Sequence, residues 1–271
     1  MDISICSFSF HRQLRDGKQD IFKFIEDCQT LGTTYLDPWS GHFEAPGQER
    51  GLPPQLDNPT HAEYVDKIKA AGDAVGQPFG CIAIDGTHIY EEDPNDRAEN
   101  RDKASQWLAV VARLGGKQMR IDTGPRADAW TDDEFDIIVA GYNDLIAEAK
   151  KVDVEIVVEN HWGPTRFPEN TVRILEAVDG LGLLFDTNNW AEGTQERAWE
   201  MCAKYAKTMH VKTFSFDENG DDPSVNLRKA INILRENGYN GVWGVESCPR
   251  DGNEFEGARD TIALIKRVLS E

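Results

Sequence analysis

Four residues able to bind a metal or move a proton each close a short apolar run. They are Glu159 after Glu155-Ile156-Val157-Val158, Asp186 after Leu183-Leu184-Phe185, His210 after Thr208-Met209, and Glu246 after Val242-Trp243-Gly244-Val245. If these runs are neighbouring strands of one parallel sheet, their C-terminal ends share a rim, where ligands of such sheets bind. Three carboxylates and an imidazole converging there would repel one another without a counter-charge, and a divalent cation favours that mixed oxygen and nitrogen shell. One ion held by Glu159, Asp186, His210 and Glu246 is the economical reading. Each residue alone has a plainer role, as helix cap, salt-bridge partner or hydrogen-bonded core histidine, so the joint pattern carries the weight.

Residues beside these four extend the site. His161, next but one to Glu159, is expected to hydrogen-bond a substrate hydroxyl or to orient that ligand. Lys212 shares strand parity with His210 and so faces the same side, where it could donate to a substrate oxygen or bridge a ligand carboxylate. Trp39, Trp162 and Trp190 follow expected strands, and Trp162 is the one expected to wall a sugar ring. Arg120 and Asp122 share a face at the end of their run and read as an internal ion pair.

Eight apolar runs are the expected strands that must position these groups: Ile3 to Phe8, Thr33 to Asp37, Phe79 to Ile84, Gln118 to Asp122, Val154 to Glu159, Gly182 to Asp186, Thr208 to Thr213 and Gly241 to Glu246. Amphipathic stretches alternate with them, over Lys18 to Leu31, Thr60 to Val75, Pro94 to Leu114, Asp132 to Lys151, Pro168 to Val178, Thr194 to Tyr205, Pro223 to Asn237 and Glu254 to Leu269. In the first, Ile21, Phe24, Ile25 and Cys28 recur at the spacing of one buried helix face. Eight such pairs predict a single-domain α/β fold, the (β/α)8 TIM barrel. An open nucleotide-binding sheet would need a glycine-rich loop after its first strand, where this chain has Ser7-Phe8-Ser9-Phe10-His11-Arg12. The Gly- and Pro-rich stretch from Pro38 to Asn58 is too long for a routine connection and is expected to form a lid over the barrel mouth.

Charge removes several functions. With 29 Lys and Arg against 48 Asp and Glu, the formal net charge is -19, which opposes binding to nucleic acid or to anionic membranes. Acidic residues such as Asp93, Asp96, Asp132, Asp133, Asp136, Asp221 and Asp222 are spread along the chain and predict a solvated acidic surface. Adaptation to high salt is the matching expectation, checked by whether the thermal midpoint rises between low and molar salt. Five cysteines without a CxxC pair, and an opening MDISICSFSF without a basic start, predict a reduced, cytoplasmic protein.

Taken together, Glu159-Asn160-His161, Asp186-Thr187-Asn188-Asn189, His210-Val211-Lys212 and Gly244-Val245-Glu246 resemble the sugar phosphate isomerase/epimerase family of xylose isomerase-like TIM barrels. The likeness extends to Ser7-Phe8-Ser9-Phe10 and to Gly115-Gly116-Lys117-Gln118-Met119-Arg120-Ile121. It implies one Mn²⁺, Mg²⁺, Co²⁺ or Zn²⁺ ion on Glu159, Asp186, His210 and Glu246. It also implies a sugar or polyol substrate and proton transfer by Glu159 and Glu246 through a metal-stabilised enediolate; a homo-oligomer is compatible with it. Isomerases, epimerases and inosose-type dehydratases share that first step. Thr213 stands where many relatives have Asp, and Thr208 where ketose epimerases have a second His, which argues against a sugar 3-epimerase. A metal-cluster endonuclease needs more strand-end histidines than a chain with six in all supplies. A non-catalytic sugar-binding barrel is the alternative outside enzymes.

Overall fold

The computed structural model describes residues 1–49 and 51–271; Arg50, within the expected lid, lies outside the described residues. Its seven strands are β1 (Ile3–Ile5), β2 (Cys81–His88), β3 (Gln118–Asp122), β4 (Glu155–Glu159), β5 (Gly182–Asp186), β6 (Ala206–Thr213) and β7 (Trp243–Ser247). They form one parallel sheet in the order β1-β7-β6-β5-β4-β3-β2. The gap between β1 and β2 is filled by the run expected as a second strand. It makes single parallel bridges, Cys6 to Asp37, Leu36 to Phe79 and Trp39 to Ala83, in place of a continuous ladder. Pro38, directly after that run and between the bridging residues Asp37 and Trp39, has no N–H to donate and so interrupts the pairing there. With this segment in place the architecture is the expected (β/α)8 barrel.

Strand parity sorts the side chains. Ile156, Val158, Leu183, Phe185, Met209, Val211 and Val245 point outward and join the helices in the main core. Cys81, Val157 and Leu184, of the opposite parity, form a separate small core inside the barrel. One step further along the same inward parity, at the C-terminal mouth, come Glu159, Asp186, His210 and Glu246.

The covering helices are α1 (His11–Arg15), α2 (Ile21–Leu31), α3 (Pro59–Val75), α4 (Pro94–Leu114), α5 (Asp132–Ala149), α6 (Pro168–Ala177), α7 (Gln195–Cys202), α8 (Leu227–Glu236) and α9 (Glu254–Leu269). Their starts follow local chemistry. Asp20 caps α2 by accepting from Lys23 N, and Thr131 with Glu134 forms a capping box on α5. Helix α8 begins four residues later than expected because Asp222 is not on the surface. It is 4% exposed and accepts from the backbone of Phe214, Ser215 and Ser224, so the chain turns there and Asn226 becomes the cap. Asp93, Asp96, Asp132, Asp133 and Asp136 are exposed as expected.

The long connection after Pro38 is packed at its start. Ser7 Oγ accepts from Trp39 N at 2.8 Å and stands 2.9 Å from His42 Nδ1, while Phe43, 1% exposed, packs edge-on against Trp107 of α4. No helix among the described residues is long and apolar enough to cross a membrane.

Candidate metal and substrate site

Four neighbouring strands bring the four ligand candidates together. Asp186 and His210 are register partners across β5 and β6, and Lys212 and Glu246 are partners across β6 and β7. One ligand atom each from Glu159, Asp186, His210 and Glu246 lies within 4.8 Å of all the others, and all four residues are buried. Gly244 lets β6 and β7 approach, since a Cβ there would stand 2.2 Å from the Met209 carbonyl oxygen.

Each ligand candidate is held in place. Asp186 is clamped through its backbone by the Asn160 amide, which donates to Asp186 O and accepts from Asp186 N, both at 2.9 Å. Its Oδ1 accepts from Asn188 N and Asn189 N, whereas its Oδ2 is buried without a hydrogen-bond partner. Glu159 Oε1 accepts from Asn189 Nδ2 at 3.0 Å, and Glu159 Oε2 lies 3.0 Å from Arg120 Nε. That ion pair is not a directed hydrogen bond, because Arg120 Nε makes none. Glu246 faces Lys212 Nζ at 2.7 Å through Oε1 and His210 Nδ1 at 2.9 Å through Oε2. Lys212 also donates to Asn189 Oδ1 at 3.0 Å.

Beside this quartet, Asp85, Asp122 and His161 form a second group. Its centre is already filled by Arg120, which donates through Nη1 to Asp85 Oδ1 at 2.7 Å, to Asp122 Oδ2 at 3.1 Å and to the Ile84 carbonyl. The expected Arg120 to Asp122 pair is therefore present, as one part of a larger network. A bulge in β2 around Gly86 (φ +74) carries Asp85 to this position, and Trp39 Nε1 donates to Asp85 Oδ2 at 2.7 Å. His161 Nδ1 meets Asp122 Oδ2 at 3.0 Å and lies 4.0 Å from Glu159 Oε2. Trp162 stacks on His161 with ring centroids 4.4 Å apart, and the Arg126 guanidinium lies over Trp162 at 4.6 Å. Trp190, 5% exposed, packs on Phe185 and belongs to the core.

Electrostatics separate the carboxylates. Burial, with Glu246 and Glu159 nearby, pushes Asp186 up to about 7 despite Lys212. Burial also acts to raise Glu246, but Lys212 and His210 outweigh it and hold that group well below the usual range. Asp122 is likewise lowered against burial, by Arg120 and His161. His161 is pushed up to about 9 because Glu159 and Asp122 outweigh its burial. Among the described residues, Asp85, Asp122, Glu159, Asp186 and Glu246 thus share two permanent cations, Arg120 and Lys212. A divalent ion fits this deficit, and the unpartnered Asp186 Oδ2 is the donor with most need of one.

The structure brings together the four ligand candidates with His161, Lys212 and Trp162. Asn160, Asn189, Asp85 and Cys6 also belong to the site and were not assigned from sequence. Asp85 and Cys6 carry the same signal as the quartet, a polar group closing an apolar run, but in the first half of the chain.

The family described as xylose isomerase-like TIM barrel matches residues 17–268. Among characterised proteins, a C-glycoside deglycosidase alpha subunit from Microbacterium trichothecenolyticum is 49% identical over 48 residues, 18% of this chain and 13% of that protein. An inosose dehydratase from Yersinia enterocolitica is 26% identical over 170 residues, 51% of this chain and 57% of that protein. The matches thus span less than two thirds of either relative. Among solved structures, the IolI protein with a bound zinc atom superposes with a TM-score of 0.77 at 15% identity, over 100% of both chains. D-psicose 3-epimerase from Clostridium cellulolyticum with D-tagatose gives 0.74 at 14% identity, over 99% of both. At these identities the structural likeness is one of fold.

Proposed function

The chain belongs to the xylose isomerase-like TIM barrel family, and from that premise we propose that it is a divalent-metal-dependent isomerase or epimerase of a sugar or sugar derivative. The observation that carries this reading is the buried quartet of Glu159, Asp186, His210 and Glu246, with Asp186 Oδ2 lacking a hydrogen-bond partner. These four residues would hold the ion, Mn²⁺, Mg²⁺, Co²⁺ or Zn²⁺. When bound, it polarises a carbonyl and steadies the charge that develops as the neighbouring proton leaves.

The chain's own groups do the rest. Glu246, kept ionised by Lys212 and His210, takes the proton beside the carbonyl and becomes a carboxylic acid, while Glu159 across the site delivers a different proton that it carries into the turnover; both carboxyls then exchange protons with solvent to reset. Delivery to the opposite face inverts that carbon, and delivery to the adjacent carbon isomerises the sugar. His161, with Nδ1 fixed by Asp122, offers Nε2 to a substrate hydroxyl. Lys212 donates to a substrate oxygen, and Trp162 with His161 forms the wall for the ring. Trp39, at the anchored start of the long connection, donates to Asp85 and shields that side of the mouth from water.

A second reading is loss of a β-hydroxyl after the same proton abstraction, an inosose-type dehydration. The similarity to an inosose dehydratase over 51% of this chain favours it. Incubation of metal-loaded protein with a panel of ketoses, aldoses and inososes in D₂O separates the cases. Deuterium beside the carbonyl of a recovered or isomerised sugar supports the first reading, and loss of water supports the second. Metal binding with no exchange on any substrate would leave a sugar-binding barrel.

A further inference from the structure

Cys6 follows β1 directly and has the inward parity of Ser4. Its N–H donates to the Val245 carbonyl at 2.8 Å and its carbonyl accepts from Ser9 N at 2.9 Å, so its backbone is fixed beside β7. The side chain is 3% exposed, and its sulfur, a His210 ring nitrogen and a Glu246 oxygen all lie within 4.8 Å of one another. His210 Nδ1, 2.9 Å from Glu246, makes no directed hydrogen bond and is buried. The other deeply buried cysteines have different surroundings: Cys28 and Cys202 lie in the main core, and Cys81 in the small apolar core within the barrel.

We propose that the centre carries two overlapping donor sets, and that Cys6 supplies a sulfur ligand to thiophilic divalent ions such as Zn²⁺. The two sets share His210 and Glu246. Hard ions such as Mg²⁺ take the carboxylate-rich set of Glu159, Asp186, His210 and Glu246, whereas a thiophilic ion is drawn to the edge shared with Cys6. Ligation replaces the thiol proton by the metal and releases that proton to solvent, with no change in oxidation state. The inference rests on reading the quartet as a metal site, and it makes the choice of ion a property of the first strand as well as of the last four.

X-ray absorption at the zinc edge tests it on the intact chain stripped of metal and reloaded with one equivalent of Zn²⁺. The expected result is a sulfur shell at about 2.3 Å beside nitrogen and oxygen at about 2.0–2.1 Å. This shell disappears in Cys6→Ser and persists in Cys248→Ser. Zinc affinity falls about tenfold or more in Cys6→Ser, and manganese affinity holds. Zinc bound through nitrogen and oxygen alone in the wild type, or a sulfur shell that survives Cys6→Ser, would overturn the proposal and leave the quartet standing. Failure of both Zn²⁺ and Mn²⁺ to bind would overturn the quartet itself. The wild-type spectrum decides the matter even if Cys6→Ser does not fold.

Discussion

Asp122 and Asp186 occupy equivalent places, each fully buried at the end of its strand and facing the barrel mouth, yet their acidities move in opposite directions. Asp122 is lowered because Arg120 reaches it at 3.1 Å and His161 at 3.0 Å. Asp186 is raised to about 7 because burial and two neighbouring glutamates outweigh Lys212, which stays 3.9 Å away. The fold has seated Arg120 against both acids of the β2–β3 flank, whereas in the β5–β7 flank Lys212 pairs closely with Glu246 and leaves Asp186 Oδ2 without a hydrogen bond. A guanidinium suits a site that must stay closed, since its planar fork satisfies Asp85 and Asp122 together. An ion taken from solution suits a site whose donors must also meet a substrate.

The strongest way to break this contrast is to remove the donors of the unfilled flank. Asp186→Asn combined with His210→Ala should reduce divalent metal from about one ion per chain to near none by elemental analysis, and should abolish proton exchange beside a substrate carbonyl. Glu246→Gln should keep the fold and lower exchange by about 10²–10⁴-fold. Undiminished exchange in Glu246→Gln would remove that residue from the role of base.

Removal of the built-in cation should act on stability. Arg120→Met leaves Asp85, Asp122 and Glu159 facing one another in a buried setting, which should cost about 3–5 kcal/mol in denaturant unfolding. A loss below about 1 kcal/mol would mean that those carboxylates simply take up protons, and the difference between the two flanks would vanish.

Much of the unfilled flank was readable before any coordinates, and the reason is parity. In β4, β5 and β7 the last inward position is taken by Glu159, Asp186 or Glu246, in β6 His210 precedes the last inward residue Lys212 by two, and the alternation of strand side chains forces all four ligand candidates toward one mouth. The filled flank was harder to read. Asp85 keeps the inward parity of Cys81, but the register shift between Ala83 and His88 decides which groups of β3 it meets, and the apolar run does not announce that shift. Asn160 and Asn189 hold ligands through side-chain amides, a role that many asparagines fill in turns and caps. The second expected strand was legible as an apolar run, but the loss of a ladder at Pro38 depends on how β1 and β2 approach it from either side. The delayed start of α8 has the same character, because Asp222 turns inward to cap backbone that it meets only in the folded chain.

Two buried histidines sharpen the contrast further. His210 sits among acidic groups and is raised despite burial, by Cys6 and Glu246. His42, at the anchored start of the long connection, has no acidic neighbour of that kind, and burial lowers it to about 3. Its folded value lies below its unfolded value of about 6.5, so the unfolded chain binds the extra proton. The stability involved is fully present above pH 6.5 and is lost as pH falls toward 3, amounting to about 3 kcal/mol by pH 4.5. Comparison of His42→Gln with the wild type between pH 7 and 4.5 isolates this contribution, and the variant should lose less stability over the same range. Equal losses would show that His42 is already charged when folded.

The smallest expected effect lies where the two flanks meet. Trp162 stacks on His161, which is tied to Asp122 on one side and lies near Glu159 on the other. If the indole is a wall for a sugar ring, Trp162→Leu should remove about 1 kcal/mol of substrate binding, a rise of about fivefold in KM, with metal content unchanged. If the indole chiefly orients His161, kcat should fall instead while KM holds, and the imidazole signal of His161 should shift in NMR spectra of the substrate-free protein. The two outcomes assign Trp162 either to the substrate or to the Asp122–His161 pair, and so fix where the rigid flank ends and the exchangeable one begins.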